Sequence, residues 1–102
     1  MPELLSDQDL GKALGRLQDW RLDDGDERAL RRDVELESFP QAIQVVNRVA
    51  EIAENDNHHP DIDIRWRTLT FRCSTHSEGG ITANDVSLAE EIDGVVDAIR
   101  EG

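Results

Sequence analysis

Cysteine occurs once in this 102-residue chain, at Cys73, and lysine once, at Lys12. A lone cysteine excludes an intrachain disulfide and any metal cage built from several thiolates. Its neighbours alternate like a strand interior, so Cys73 reads as a small buried apolar residue and not as a nucleophile. No stretch is long and apolar enough to span a bilayer as a helix. The opening Met1-Pro2-Glu3-Leu4-Leu5-Ser6-Asp7 lacks the basic start and apolar run of a secretion signal, so a soluble cytoplasmic protein is the expectation. Repeats, linkers and low-complexity tracts are absent, which suggests one domain over residues 1–102. Such a domain can bury a core, yet roughly a third of its unfolded surface stays exposed, so association into oligomers would help it.

Positive charge is scarce as well. The 11 Lys+Arg stand against 23 Asp+Glu, giving a formal net charge of −12 and a pI near 4.4. Phosphates would be repelled, which argues against nucleic acid as a direct ligand. The acidic residues spread along the whole chain and form no tail. Apolar residues recur periodically, which argues against disorder. Carboxylates hold water and cations, and concentrated salt screens their repulsion, so the composition suits a halophile's protein.

The periodicities divide the chain into seven elements. Ser6 and Asp9 have capping-box spacing, and Leu5 and Leu10 can form a staple across it. Leu10, Ala13, Leu14 and Leu17 then continue one helical face. Asp23-Asp24-Gly25-Asp26 reads as a hairpin turn after Trp20-Arg21-Leu22. The return run alternates Leu30, Val34 and Leu36 against Arg31, Asp33 and Glu35, and Arg32 interrupts it. Ser38 can cap a second helix, with Pro40 tolerated in its first turn. Phe39, Ala42, Ile43, Val46, Val49, Ala50 and Ala53 supply its stripe, and Asn55-Asp56-Asn57 ends it. Ile62, Ile64 and Trp66, then Leu69, Phe71 and Cys73, mark two strands with a turn near Arg67-Thr68. Gly79-Gly80 breaks the chain. Thr82 caps a last helix, with Asp85 three residues on and Ala89, Ile92, Val96 and Ile99 as its stripe. The order α-β-β-α-β-β-α predicts an α+β fold, a four-stranded antiparallel sheet with three helices packed on one face.

Histidine supplies what the other residue types do not. All three lie between residues 58 and 76, as His58-His59-Pro60 and His76. Imidazole can donate and accept protons near neutral pH. Pro60 pushes His59 out of the α region into an extended conformation. A zinc site fits less well, because adjacent residues of an extended segment point to opposite sides and no HxH or HxxxH spacing occurs. Glu54 sits one helical turn before the pair and can either stay solvated or fix an imidazole tautomer. Asp85 can be a helix cap or a site residue. Trp66 can pack in a core or interface, or stack on a ligand.

Glu54, three residues, His58-His59-Pro60, five residues, Trp66, nine residues, His76, eight residues, Asp85: this composite is similar to the pterin-4a-carbinolamine dehydratase family. Trp20, the second helix stripe and the element order extend the resemblance over nearly the whole chain. It implies an enzyme with no metal and no organic cofactor. The implied reaction dehydrates 4a-hydroxytetrahydropterin to quinonoid dihydropterin and water, recycling the pterin of aromatic amino acid hydroxylases. The motif histidines fall on His58, His59 and His76, with Glu54 and Asp85 in support and His59, Pro60 and Trp66 towards the substrate. His58 and His76 are expected to be the proton-transfer pair. Homo-dimers or homo-tetramers using the terminal helix are also implied. Ile62 and Trp66 stand where the family often has an aromatic and a tyrosine, so substrate contacts differ there. Other readings are dehydration of another, molybdopterin-related pterin, or a non-catalytic dimerisation and coactivator module.

If the acidic surface is salt-adapted, thermal or urea melts in molar KCl will show higher stability than melts at low salt. Equal stability at both removes the halophile reading.

Overall fold

The computed structural model describes residues 2–102. Helix α1 spans Asp7–Arg16, β1 Arg21–Asp24, β2 Arg28–Glu35, α2 Phe39–Asp56, β3 Asp61–Arg65, β4 Thr68–Cys73 and α3 Ala83–Glu101. A single 3-10 turn, His76–Glu78, lies between β4 and α3. The strands form one antiparallel sheet in the order β1-β2-β4-β3, so β2 and β4 are central while β1 and β3 are edges. This is the expected α+β architecture in the expected order.

The helix starts follow from local side-chain chemistry. Ser6 Oγ accepts the Asp9 amide at 3.1 Å, and Ser38 Oγ accepts that of Gln41 at 3.2 Å. Pro40 sits in the first turn of α2, where its missing N–H would have had no partner. At the end of α2, Asn57 adopts a left-handed conformation (φ 52°). Its amide bonds the Glu54 carbonyl at 3.2 Å, and the His58 amide bonds that of Ala53 at 3.0 Å. That pair of crossed bonds is a Schellman motif, so His58 is itself part of the helix cap.

The core lies between one face of the sheet and the helices. Leu30 and Val34 of β2 and Leu69, Phe71 and Cys73 of β4 meet Val45 and Val49 of α2 and Leu88, Ile92 and Val96 of α3. The opposite face is a charge ladder, with Arg72 on Asp23 at 2.9 Å, Arg21 on Asp33 at 3.2 Å, and Thr70 donating to Asp33 at 2.8 Å. The Arg72 hydrogen bond holds Asp23 below the usual carboxylate range, and the Thr70 hydroxyl does the same for Asp33.

Three details differ from the sequence expectation. Arg32 does not interrupt β2; it keeps the alternation and points into the core, with its side chain 5% exposed. It does so because Asp93 of α3 meets its guanidinium there, and the Trp20 indole N–H donates to the same Asp93 oxygen at 2.8 Å. The stripe of α2 is also rotated. Ala42, Val45, Val49 and Ala53 are buried, whereas Phe39 and Ala50 are exposed and Ile43 and Val46 lie at the flank. Finally, the β3–β4 turn is Trp66-Arg67 and not Arg67-Thr68, since Arg65 pairs with Thr68. A two-residue hairpin turn needs a positive φ, and with no glycine or asparagine present Trp66 takes it, at φ 55°.

Removing Asp93 leaves the Arg32 charge buried with only the distant Asp19 carboxylate, 3.6 Å away and exposed. Asp93→Ala is expected to cost roughly 3 kcal/mol, the usual penalty for orphaning a buried ion-pair partner. The double variant Arg32→Met/Asp93→Leu should recover most of that loss in urea melts.

Candidate active site

Each of the three histidines meets a carboxylate of its own. The innermost pair is His58 with Asp85. Asp85 is fully buried at the start of α3, and its Oδ2 accepts the Thr82 amide at 2.9 Å and the Thr75 hydroxyl at 2.8 Å. Its Oδ1 lies 2.6 Å from His58 Nε2. The two readings of Asp85 are therefore both realised: one oxygen caps the helix and the other holds the imidazole. Converging donors are what a buried carboxylate requires. With Asp85 accepting, Nε2 of His58 carries the proton and Nδ1 faces away from the helix partner, a lone pair when the ring is neutral.

His59 Nε2 lies 2.8 Å from Glu54 Oε1, in an exposed pair on the last turn of α2. His76 opens the 3-10 turn and sets Nδ1 3.1 Å from Glu27 Oε1. Glu27 comes from the loop between β1 and β2, and its side chain is 25% exposed. A hydrogen bond from the Ser74 hydroxyl holds its carboxyl below the usual range against partial burial, and His76 adds to that. Glu27 is the residue that sequence reasoning missed. Its only cue was arithmetic: two of three histidines had an acidic neighbour in the motif and the third had none.

The sheet register brings these pairs to one end of the molecule. Asp61 pairs with Arg72, so the chain entering β3 runs beside the chain leaving β4. His58 and Thr75 consequently meet on Asp85, one residue before His76. A pocket of about 320 Å³ opens on His58 and is lined also by Asp56, Asn84, Ser87, Leu88 and Glu91. His59 and His76 do not line it. Trp66 is not gathered with them: it sits on the turn at the far end of β3, 70% exposed, with the Arg67 guanidinium 4.8 Å from its ring centre. Cys73 is buried, and burial pushes its thiol well up, which removes it from the chemistry. Among the described residues no three ligating side chains converge as a metal site would need.

Fold and site together define a small α+β protein whose imidazoles are paired one by one with carboxylates. The family model for pterin 4 alpha carbinolamine dehydratase matches residues 3–95, and the chain belongs to that family. A Nocardia farcinica protein provisionally assigned as a pterin-4-alpha-carbinolamine dehydratase is 58% identical over 91 residues, covering 89% of this chain and 93% of its own length. One from Mycobacterium avium with the same provisional assignment is 54% identical over 93 residues, covering 91% and 96%. Among solved structures, a transcriptional coactivator/pterin dehydratase from Brucella melitensis superposes with a TM-score of 0.87 at 28% identity, over 92% of this chain and 99% of that one. A pterin dehydratase-like RuBisCO assembly factor of the alpha-carboxysome, at 18% identity and a TM-score of 0.64 over 76% of this chain and 88% of that one, shares the fold.

Burial raises the Glu91 carboxyl above its ordinary 4.5, and the neighbouring Asp56 raises it further. The folded protein thus holds that proton more tightly than the unfolded chain does. Ionising Glu91 at neutral pH costs stability, and the cost vanishes as pH falls below 4.5. Glu91→Gln should therefore raise Tm at pH 7 and lose that advantage at pH 4, as read by paired thermal melts.

Proposed function

We propose that the protein dehydrates 4a-hydroxytetrahydropterin, the 4a-hydroxytetrahydrobiopterin type included, to quinonoid dihydropterin and water. The observation that supports this most is the set of three imidazole–carboxylate pairs, with His58 held by the buried Asp85. Hydroxide is a poor leaving group, so C4a–O cleavage needs a proton on the departing oxygen. As the C=N bond forms, the proton on ring N5 must leave. His58 and His76 carry those two transfers, each worth about 10²–10⁴-fold when positioned. His59 and Pro60 hold the pterin. Asp85, Glu54 and Glu27 hold and orient the rings. Neither a metal nor an organic cofactor is required.

The product can be reduced again, so the reaction recycles the pterin of aromatic amino acid hydroxylases. The reading includes assembly as a homo-dimer or homo-tetramer. A location in the cytoplasm and adaptation to salt belong to it too, the latter supported by the net charge of −12. The likeness to the Brucella melitensis transcriptional coactivator/pterin dehydratase supports a second reading, a dimerisation and coactivator module. A pterin of molybdopterin type is the alternative substrate.

Stopped-flow decay of freshly made 4a-hydroxytetrahydropterin separates these. Wild type is expected to accelerate dehydration, with a pH–rate profile that falls on both sides of neutrality. His58→Ala and His76→Ala should each lose about 10²–10⁴-fold. Decay no faster than buffer overturns the reading, and full rate in both variants overturns the residue roles. In a pure binding module, alanine at all three histidines would leave partner binding untouched.

A further inference from the structure

A cleft of about 400 Å³ separates α1 from the first turns of α3, and it is larger than the pocket that opens on His58. None of the three histidines lines it. Its volume lies in the range of small-molecule sites. The inner wall is apolar: Ala13 and Val86 are buried, and Leu5 packs against the core beside them. The rim is charged. Asp9, Lys12 and Arg16 follow one another along a single face of α1, and Glu90 answers from α3. All four are exposed.

The rim carries two charges of each sign, in a chain where 23 Asp+Glu outnumber 11 Lys+Arg. Those charges are hardly spent on each other. Arg16 and Glu90 come only to 4.0 Å, with both side chains more than half exposed, which makes a weak contact. Lys12 is the only lysine of the chain. Among the described residues no carboxylate oxygen comes as near to it as 4.0 Å. Asp9 lies three residues before it on the same helix face, a spacing at which such pairs usually form. Ala83 adds the start of α3, where helix amides lack intrahelical partners and the dipole is positive. A ligand with a single charge would meet a like charge in the cleft as well as an unlike one. A ligand with both charges and an apolar body can meet an unlike partner at each end and the inner wall between.

We propose that this cleft binds a free α-amino acid with an apolar side chain. Its carboxylate lies against Lys12 and the start of α3, its ammonium against Asp9 and Glu90, and its side chain against Leu5, Ala13 and Val86. The site adjoins the histidine end without sharing a histidine. Leu5 donates its amide to the Ile81 carbonyl at 2.9 Å, next to Thr82, and Val86 follows Asp85 directly. The proposal does not rest on the dehydratase reading.

Calorimetry and amide NMR shifts with L-phenylalanine as the probe, in a buffer free of amines and carboxylates, test it. Saturable binding with a dissociation constant of about 1 mM or tighter is expected, with shifts at Lys12 and Ser87. Phenethylamine lacks the carboxylate, 3-phenylpropionate lacks the ammonium and glycine lacks the apolar body. Each should bind about tenfold more weakly or worse. Lys12→Gln should weaken phenylalanine binding about tenfold, and Lys12→Arg should keep it within about threefold. Ala83→Trp fills the cleft from an exposed position and should abolish binding while leaving the NMR spectrum of a folded protein. No saturable binding by wild type, unchanged affinity in Lys12→Gln or Ala83→Trp, or either singly charged analogue binding as tightly as phenylalanine overturns the inference. None of these readouts uses a pterin. Binding without dehydratase activity would reject the function alone, and activity without binding would reject the cleft alone.

Discussion

The carboxylate of Asp85 is the point on which the site depends. It is fully buried, and it gathers a helix amide, a threonine hydroxyl and an imidazole from three separate stretches of chain. A charge in that position is stable only while the donors are present. The same contacts that start α3 therefore fix the His58 ring, and the fold cannot form there without orienting the imidazole. A hydrogen-bonded partner of this kind sets the tautomer, and the tautomer sets which nitrogen can meet a substrate.

The two outer pairs are built differently. Glu54 and His59 are exposed, joined across the end of one helix. Glu27 reaches His76 from the β1–β2 loop and is itself held by Ser74. A gradient from buried to open runs across the three imidazoles, from His58 at 17% side-chain exposure to His76 at 67%. The enclosed ring keeps one geometry, and the open ones can adjust to what binds.

Much of the architecture was legible because its determinants are local. Ser6, Ser38 and Thr82 each bond an amide two or three residues ahead, and such spacing is visible in one dimension. Asp85 was visible twice, as cap and as motif residue. What escaped depended on distant partners. Arg32 looks like an error in a strand until Asp93, 61 residues later, is placed beside it. Glu27 and His76 are 49 residues apart, and nothing near either names the other. Trp66 continued an alternation so well that the turn was placed one residue late; only the pairing of Arg65 with Thr68 locates it. In α2, apolar residues occupy more than one face, so periodicity alone could not choose which side meets the core.

The helix cap at Asn57 carries a last implication. Because the His58 amide closes the Schellman motif on Ala53, the first imidazole is counted off from the helix itself, with no slack between them. One residue added or deleted in the final turns of α2 would swing that imidazole by about 100° and shift it by about 1.5 Å. The helix thus serves as a ruler for the chemistry, and sequence drift can alter its faces far more freely than its length.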